Sequence, residues 1–346
     1  MLTYSKTSRL LRAAIFFLIL ATGGTLSAQS GKYADAFLNN GIGARALGLG
    51  GAYSAVAGDA TAVYWNPAGL SKLNYPEFSL LHAQEFAGVV NYNSFAAAMP
   101  YGPDASFGIG LIRLGVDDIP RSRLPRPDLE LGAVYTDEDG TLRRNSPYAD
   151  YLFSNAEYGL FLSYARNWSP LLRLGASVKV LQKGFDDNSA FGFGVDIGVQ
   201  SNPWSDLYLG ATLQDITTTI LAWNTGRKEI IYPTLKLGAG LPIYSKRLQG
   251  KLLLITDADF DFDNQGSAAQ FASGALSMDL HIGVEYEYRE RLAVRLGSDA
   301  GMFTAGAGLR IGHLQVDYAF LNNTELATSH RISASFVLEK KRYRRR

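Results

Sequence analysis

The chain has 346 residues and only four histidines, one of which has acidic neighbours at strand spacing. His281, Glu285 and Glu287 would share one face of a strand, because alternate side chains of a strand point the same way. Such a group could act as a base or bind a metal ion. A hydrolase would also need a nucleophile within reach of the base, and no local motif supplies a serine. We therefore interpret His281 as part of a polar wall and predict neither a catalytic nor a metal site.

A run of alternating aspartates from 257 to 263 resembles the start of a calcium-binding loop. That loop needs glycine at its sixth position and glutamate at its twelfth, where this chain has Phe262 and Ala268. A spacing of two also fits a strand face, so we predict a ladder of charges that faces a lumen. The members of this predicted charge ladder are Asp257, Asp259, Asp261, Glu285, Arg295 and Arg310.

The sequence gives little support for dinucleotide binding, thiol chemistry or nucleic-acid binding. The glycines between 41 and 51 superficially resemble a dinucleotide fingerprint, but no strand precedes them and no βαβ unit follows. The absence of cysteine removes thiol chemistry and disulfide bonds. Lys and Arg total 33 against 32 Asp and Glu, so the charge balance does not indicate nucleic acid as a partner. We predict a protein that is not an enzyme and has no cofactor.

The elements that would position these side chains are short alternating strands. From Phe191 to Val199 every odd residue is large and apolar, and every even residue is glycine or aspartate. About fourteen such segments follow residue 75, and their apolar faces are too extensive for the short helices available to cover. The sequence therefore predicts an all-β fold: a closed antiparallel transmembrane β-barrel, with apolar side chains facing lipid and ionised ones facing the lumen. A soluble exported β-protein is the structural alternative.

The predicted connections alternate between short and long. Short turns fall near 103, 168, 203, 247, 289 and 312. Between them fall the long loops 117–155, 215–232 and 262–278 and shorter loops near 185, 300 and 325. Outer-membrane barrels have short periplasmic turns and longer external loops, so this parity favours the barrel. The 117–155 loop is long enough to fold over the external mouth or to receive a ligand.

Four regions follow from this interpretation. Residues 1–28 are a predicted signal peptide, because Lys6, Arg9 and Arg12 precede a short apolar core. Residues 29–74 are a predicted plug inside the lumen, 75–339 the barrel, and 340–346 a basic tail. We expect the mature protein to lie in the outer membrane of a Gram-negative type bacterium, with both of its termini in the periplasm.

The plug carries a resemblance to a known family. Its small-residue stretch is followed by Gly58-Asp59-Ala60 and then by Asn66-Pro67-Ala68-Gly69-Leu70. This segment resembles the N-terminal region of the PorV/PorQ-like outer-membrane proteins, which are relatives of the FadL long-chain fatty acid transporters. The resemblance implies a fourteen-stranded barrel with an internal plug. We interpret Gly58, Asp59, Asn66, Pro67, Ala68 and Gly69 as a structural plug motif.

The resemblance implies two functions. The first is handling of exported cargo proteins in a type IX secretion-like system, with secretion-machinery components as partners. The alternative is FadL-like transport of hydrophobic small molecules, including fatty acid-like ligands, across the outer membrane. Transport predicts a ligand pocket between plug and wall, lined by Tyr53, Tyr64 and Trp65. Outer-membrane lipids are expected partners in both cases.

Overall fold

The computed structural model describes residues 37–204, 206–247, 249–263, 265, 269–323 and 327–338. The predicted signal peptide, the first residues of the predicted plug and the basic tail lie outside the described residues. Within them, two helical turns, Ala44–Leu47 and Ala62–Trp65, and two 3-10 turns, Pro67–Lys72 and Phe86–Gly88, accompany nineteen strands. None of the described helices is both long and apolar enough to cross a membrane.

The strands are β1 (Glu77–Glu85), β2 (Val90–Tyr101), β3 (Ala105–Arg123), β4 (Val134–Thr136), β5 (Leu142–Arg144), β6 (Tyr148–Ser169), β7 (Leu172–Phe185), β8 (Asn188–Trp204), β9 (Leu207–Gln214), β10 (Thr219–Trp223), β11 (Lys228–Ile231), β12 (Thr234–Ser245), β13 (Gly250–Asp261), β14 (Phe271–Ser273), β15 (Leu276–Tyr288), β16 (Leu292–Asp299), β17 (Met302–Ile311), β18 (Leu314–Asn323) and β19 (Ala327–Val337).

A closed antiparallel barrel contains fourteen of these strands: β1 to β3, β6 to β9, β12, β13 and β15 to β19. The ring closes because the first strand pairs with the last, with Glu77 opposite Val337 and Gln84 opposite His330. The short strands β10, β11 and β14 extend the same sheet, while β4 and β5 form a separate hairpin. The predicted closed antiparallel β-barrel and its number of strands are confirmed.

The two faces of the wall differ as the alternation predicted. On β8 the side chains of Phe191 and Phe193 are 59% and 53% exposed on the outside. The intervening inner positions are glycines, and Asp196 further along the same face is buried. An apolar outer surface around a polar interior is the arrangement of a transmembrane barrel. Leucines and phenylalanines held between two stacked sheets would have indicated a soluble sandwich instead.

The ends of the barrel also differ from each other. At one end, which we call the short-turn edge, the six links between barrel strands contain four residues or fewer. The opposite end, the long-loop edge, has the links from β3 to β6, from β9 to β12 and from β13 to β15. The start of β1 and the end of β19 lie at the short-turn edge, because Val337 N donates to His313 O in the β17–β18 turn.

Two of the predicted loops contain strand residues that the sequence did not indicate. β3 continues to Arg123 and β6 already begins at Tyr148, so only residues 124–147 lie between them, and these contain β4 and β5. The 215–232 loop contains the hairpin of β10 and β11, and β10 pairs with β8. The prediction was wrong here because a strand that extends beyond the bilayer meets water on both faces and loses its apolar alternation.

Candidate functional site

Residues 37–73 lie inside the ring of strands, and we call this segment the plug. Its backbone approaches the inner wall at glycines. A Cβ atom added to Gly175 on β7 would lie 2.3 Å from the nitrogen of Ala68. A Cβ atom on Gly210 of β9 would lie 2.4 Å from the carbonyl oxygen of Ser54. These wall positions accept the plug because they have no side chain, so the glycine-rich inner face is its seat.

Asn66 is fully buried and joins the plug to two wall strands. Its Nδ2 donates to the carbonyl oxygens of Ser54 at 2.9 Å, Val199 at 3.1 Å and Ala211 at 3.3 Å. Its Oδ1 accepts from the nitrogen of Ala68 at 3.1 Å and so caps the turn that follows. One side chain therefore satisfies backbone groups of the plug, of β8 and of β9.

We expect Asn66→Ala to loosen the plug in its seat by about 2 kcal/mol, because three buried carbonyl oxygens lose a donor. Hydrogen exchange of residues 60–72, followed by mass spectrometry on the folded barrel, measures this as faster exchange. Asn224→Ala is the matched control, since the side chain of exposed Asn224 bonds, among the described residues, to the backbone of Ser189 and Asp187 at the β7–β8 turn. Equal exchange in the two variants would refute the assigned role of Asn66.

The remaining motif residues lie in the fold of the plug itself. Pro67 begins the 3-10 turn that follows Asn66. A Cβ atom on Gly69 would lie 2.3 Å from the carbonyl oxygen of Ala57, so two plug segments touch there. Gly58 lies against the aliphatic stem of Lys72. Small residues at these positions allow the plug to fold back on itself.

Asp59 organises the loop before the second helical turn. Its Oδ2 accepts from the hydroxyl of Tyr53 at 2.5 Å, and its Oδ1 accepts from the nitrogen of Thr61 at 3.0 Å. Burial raises the pKa of the Tyr53 hydroxyl well above its ordinary value. The hydroxyl therefore stays protonated and remains a donor to Asp59.

The structure brings the three predicted pocket aromatics together. The rings of Tyr64 and Trp65 have centroids 5.0 Å apart, and those of Tyr53 and Trp65 are 6.0 Å apart, both edge to face. The Tyr64 hydroxyl donates to Leu38 O at 2.6 Å, and Trp65 Nε1 donates to Ile42 O at 2.8 Å. All three side chains are buried, so they form the aromatic core of the plug in this conformation.

Asp257 of the charge ladder holds plug backbone. Its Oδ2 accepts from the nitrogens of Tyr53 at 3.0 Å and Ser54 at 2.7 Å. The next two aspartates bond within the wall instead: Asp259 accepts from Lys236 Nζ, and Asp261 Oδ1 accepts from Thr234 Oγ1 at 2.5 Å. All three aspartates are buried on the lumenal face of β13.

Glu285 stands between two guanidinium groups. Arg45 of the plug reaches it with Nε at 2.9 Å and Nη2 at 2.7 Å, and Arg295 Nε of β16 lies 2.7 Å away. Arg295 also donates from Nη1 to Asp317 Oδ1 at 2.7 Å. Glu285 thus couples the plug electrostatically to three wall strands. Arg310, the last residue of the predicted ladder, is exposed near the short-turn edge and reaches this network through Gln315, which donates to Asp317.

Sequence reasoning missed two parts of the interior. Arg45 escaped notice because its surroundings have no period-2 pattern, although a lone charge in a stretch of glycine and alanine was a usable signal. A second buried ionic cluster joins Lys179 Nζ to Asp196 at 2.9 Å and to Asp215 at 2.7 Å. Asp215 lies in a predicted loop, in the short link between β9 and β10. No local sequence pattern indicated that its side chain is buried.

His281 contacts the plug and neighbouring carboxylates. Its Nδ1 lies 2.9 Å from the carbonyl oxygen of Gly50 and 3.0 Å from Asp299 Oδ1, and its Nε2 lies 3.5 Å from Asp259 Oδ2. Glu287 pairs with Lys251 at 2.8 Å instead. Among the described residues, no group of three or more His, Asp or Glu side chains is arranged to hold a metal ion.

Comparisons with known proteins add information on the fold. No protein-family model matches the sequence, and no curated protein matches it significantly. The toluene transporter TbuX of Ralstonia pickettii has 16% identity and a TM-score of 0.54, over 86% of this chain and 97% of TbuX. The monoaromatic hydrocarbon channel CymD has 11% identity and a TM-score of 0.55, over 88% and 99%. The toluene transporter TodX of Pseudomonas putida has 13% identity and a TM-score of 0.52, over 91% and 99%.

Proposed function

We propose that this protein is a non-enzymatic outer-membrane channel for hydrophobic small molecules. The observation that carries the proposal is the combination of a closed fourteen-stranded barrel with a plug packed into its lumen. A wide barrel with a free lumen passes water and polar solutes, and a packed interior removes that path. The three solved structures compared above are named as transporters or channels of toluene or monoaromatic hydrocarbons.

Of the two functions suggested by the sequence, the FadL-like transport alternative has the better support. The comparisons give no support to a PorV/PorQ-type role in protein export, and we do not carry cargo proteins or secretion machinery forward as partners. The partners that we propose are outer-membrane lipids and apolar ligands. In this proposal the short-turn edge faces the periplasm and the long-loop edge faces outward.

Transport requires the plug to rearrange, since the aromatic core of Tyr53, Tyr64 and Trp65 is closed by its own contacts. The attachments that would have to change lie on one side of the barrel. They include the Arg45–Glu285 pair, the bond from Arg331 Nη1 to Asn40 O at 2.6 Å, and the bond from Ala44 N to Ser333 Oγ at 3.1 Å. We infer that movement of the segment around Ala44 opens the path for an apolar ligand.

A reversible crosslink tests this function. The chain has no cysteine, so Ala44→Cys with Ser333→Cys creates a single pair that joins the plug to β19. The protein, expressed in the outer membrane of a Gram-negative host, should increase toluene uptake at low external concentration. We expect oxidation of the double variant to lower this uptake at least fivefold and reduction to restore it.

Two comparisons make the experiment decisive. Ala44→Cys alone should respond to neither oxidant nor reductant, which controls for the substitution. Purified wild-type protein in liposomes should admit sucrose no faster than protein-free liposomes do. No gain in toluene uptake, or rapid sucrose entry, would contradict the proposed function.

A further inference from the structure

A second polar feature lies at the short-turn edge of the barrel. A cavity of about 170 Å³ opens there between the ends of β13, β15, β16 and β17. The plug contributes Arg45 to its lining, and the wall contributes mainly charged side chains. Its deep end is formed by buried Glu285 and Arg295, and its mouth by exposed Arg291 and Arg310.

The charges of the deep end are balanced. Arg45 and Arg295 share Glu285, and Arg295 also pairs with Asp317. Lys251 pairs with Glu287 at 2.8 Å. Three cations therefore face three carboxylates, and this part of the cavity has no surplus charge to attract a ligand.

The mouth is different. Within the described part of the chain, neither Arg291 nor Arg310 has a carboxylate within 4.0 Å. Arg310 donates from Nε and Nη2 to a neutral acceptor, Gln315 Oε1, at 3.1 and 2.5 Å. The backbone nitrogen of Arg310 donates to Arg291 O at 2.7 Å, which places the two residues side by side on neighbouring elements. The described lining contains three glutamates: Glu285 and Glu287 pair with cations, and exposed Glu290 is next to Arg291 in the chain.

We propose that Arg291 and Arg310 form a binding site for an oxyanion of the phosphate type at the mouth of this cavity. A guanidinium group presents parallel N–H donors that match two oxygens of such an anion. Two adjacent guanidinium groups without carboxylate partners leave donors free for a ligand. A cavity of about 170 Å³ is large enough for a small tetrahedral anion, and its polar lining does not suit an apolar chain.

The position of the site also couples it to the plug. Arg45 of the plug lines the same cavity and donates to Glu285. An oxyanion bound at the mouth would therefore share this cavity with a residue of the plug. Binding to the folded state alone raises stability by mass action, so phosphate should raise the unfolding temperature.

Calorimetric titration of inorganic phosphate into the full-length barrel in a neutral detergent tests the proposal. We expect saturable binding to the wild type and about tenfold weaker binding to Arg310→Gln and to Arg291→Gln. Arg289→Gln is the matched control, because Arg289 is exposed on the same turn, stacks on Tyr288 and does not line the cavity. No binding by the wild type, or an equal loss in the control, would overturn the proposal.

A second arm separates a free anion from a lipid head group. The wild type and Arg310→Gln are reconstituted into vesicles of neutral phosphatidylcholine, with and without phosphatidylglycerol. The unfolding temperature is measured in each, in the presence and absence of inorganic phosphate. Stabilisation by free phosphate in neutral vesicles supports a lumenal anion. Stabilisation by phosphatidylglycerol alone, lost in Arg310→Gln, assigns the site to a head group, and stabilisation by neither contradicts it. The site does not depend on the proposed hydrocarbon transport, because both readouts are independent of toluene uptake.

Discussion

Gly175→Ala is expected to displace the plug from its seat while the barrel itself still assembles. The added methyl group would lie 2.3 Å from Ala68 N, 2.4 Å from Pro67 C and 2.7 Å from Pro67 O. All three are backbone atoms, so no side-chain rotation relieves the contact, and the turn must move by about 1 Å. That movement breaks the bonds of Asn66. We expect a cost of about 3 kcal/mol or more to plug seating.

The displaced plug should be visible as conductance. In planar lipid bilayers, Gly175→Ala should give larger and more frequent ion-conducting openings than the wild type, with faster protease cleavage in residues 60–72. Gly184→Ala is the matched control on the same strand, because the nearest atom to its added Cβ is Ala156 O at an ordinary 3.7 Å. Wild-type conductance in Gly175→Ala would show that the wall glycine is not required for seating.

Arg295→Met is expected to cost about 3–5 kcal/mol of unfolding free energy. Arg295 is buried and bonds to both Glu285 and Asp317. Its removal leaves Asp317 with Gln315 Nε2 as its remaining side-chain donor, at 2.8 Å. A buried carboxylate that has lost its cation is far less stable than a complete pair, so the penalty exceeds the value of the pair itself.

Urea unfolding of the barrel in lipid vesicles, together with the temperature at which the folded band disappears on a gel, measures this cost. Lys251→Met removes another lumenal cation from a glutamate of β15, but in a pair whose side chains are 24% and 18% exposed. We expect a loss of about 1 kcal/mol or less there. Similar losses in both variants would mean that the Arg295 network contributes no more than a solvated pair.

Much of the barrel could be predicted because the bilayer imposes a rule on each strand separately. Where lipid lies on one side and the lumen on the other, the side chains must alternate, and Phe191 to Val199 does so without interruption. The same rule predicts Asp257, Asp259 and Glu285 on the inner face, and all three side chains are buried in the described structure. Such local patterns do not depend on which strands become neighbours.

The partners of those inner residues could not be predicted in the same way. Arg45 reaches Glu285 across 240 residues of sequence, and no periodicity connects them. The hairpin of β10 and β11 could not be predicted because its residues lie beyond the bilayer, where strands lose the apolar alternation. The glycines of the wall were visible as a pattern, but the identity of the plug atom against each one depends on the three-dimensional path of the plug.

Ring closure between β1 and β19 has a consequence for biogenesis. The plug precedes β1 in the chain, and the ring around it is complete only when β1 pairs with β19. The wall touches the plug from many directions, and entry through a finished ring would require most of those contacts to form in a confined space. We infer an order of events: the sheet first curves around the plug, and the pairing of β1 with β19 then encloses it.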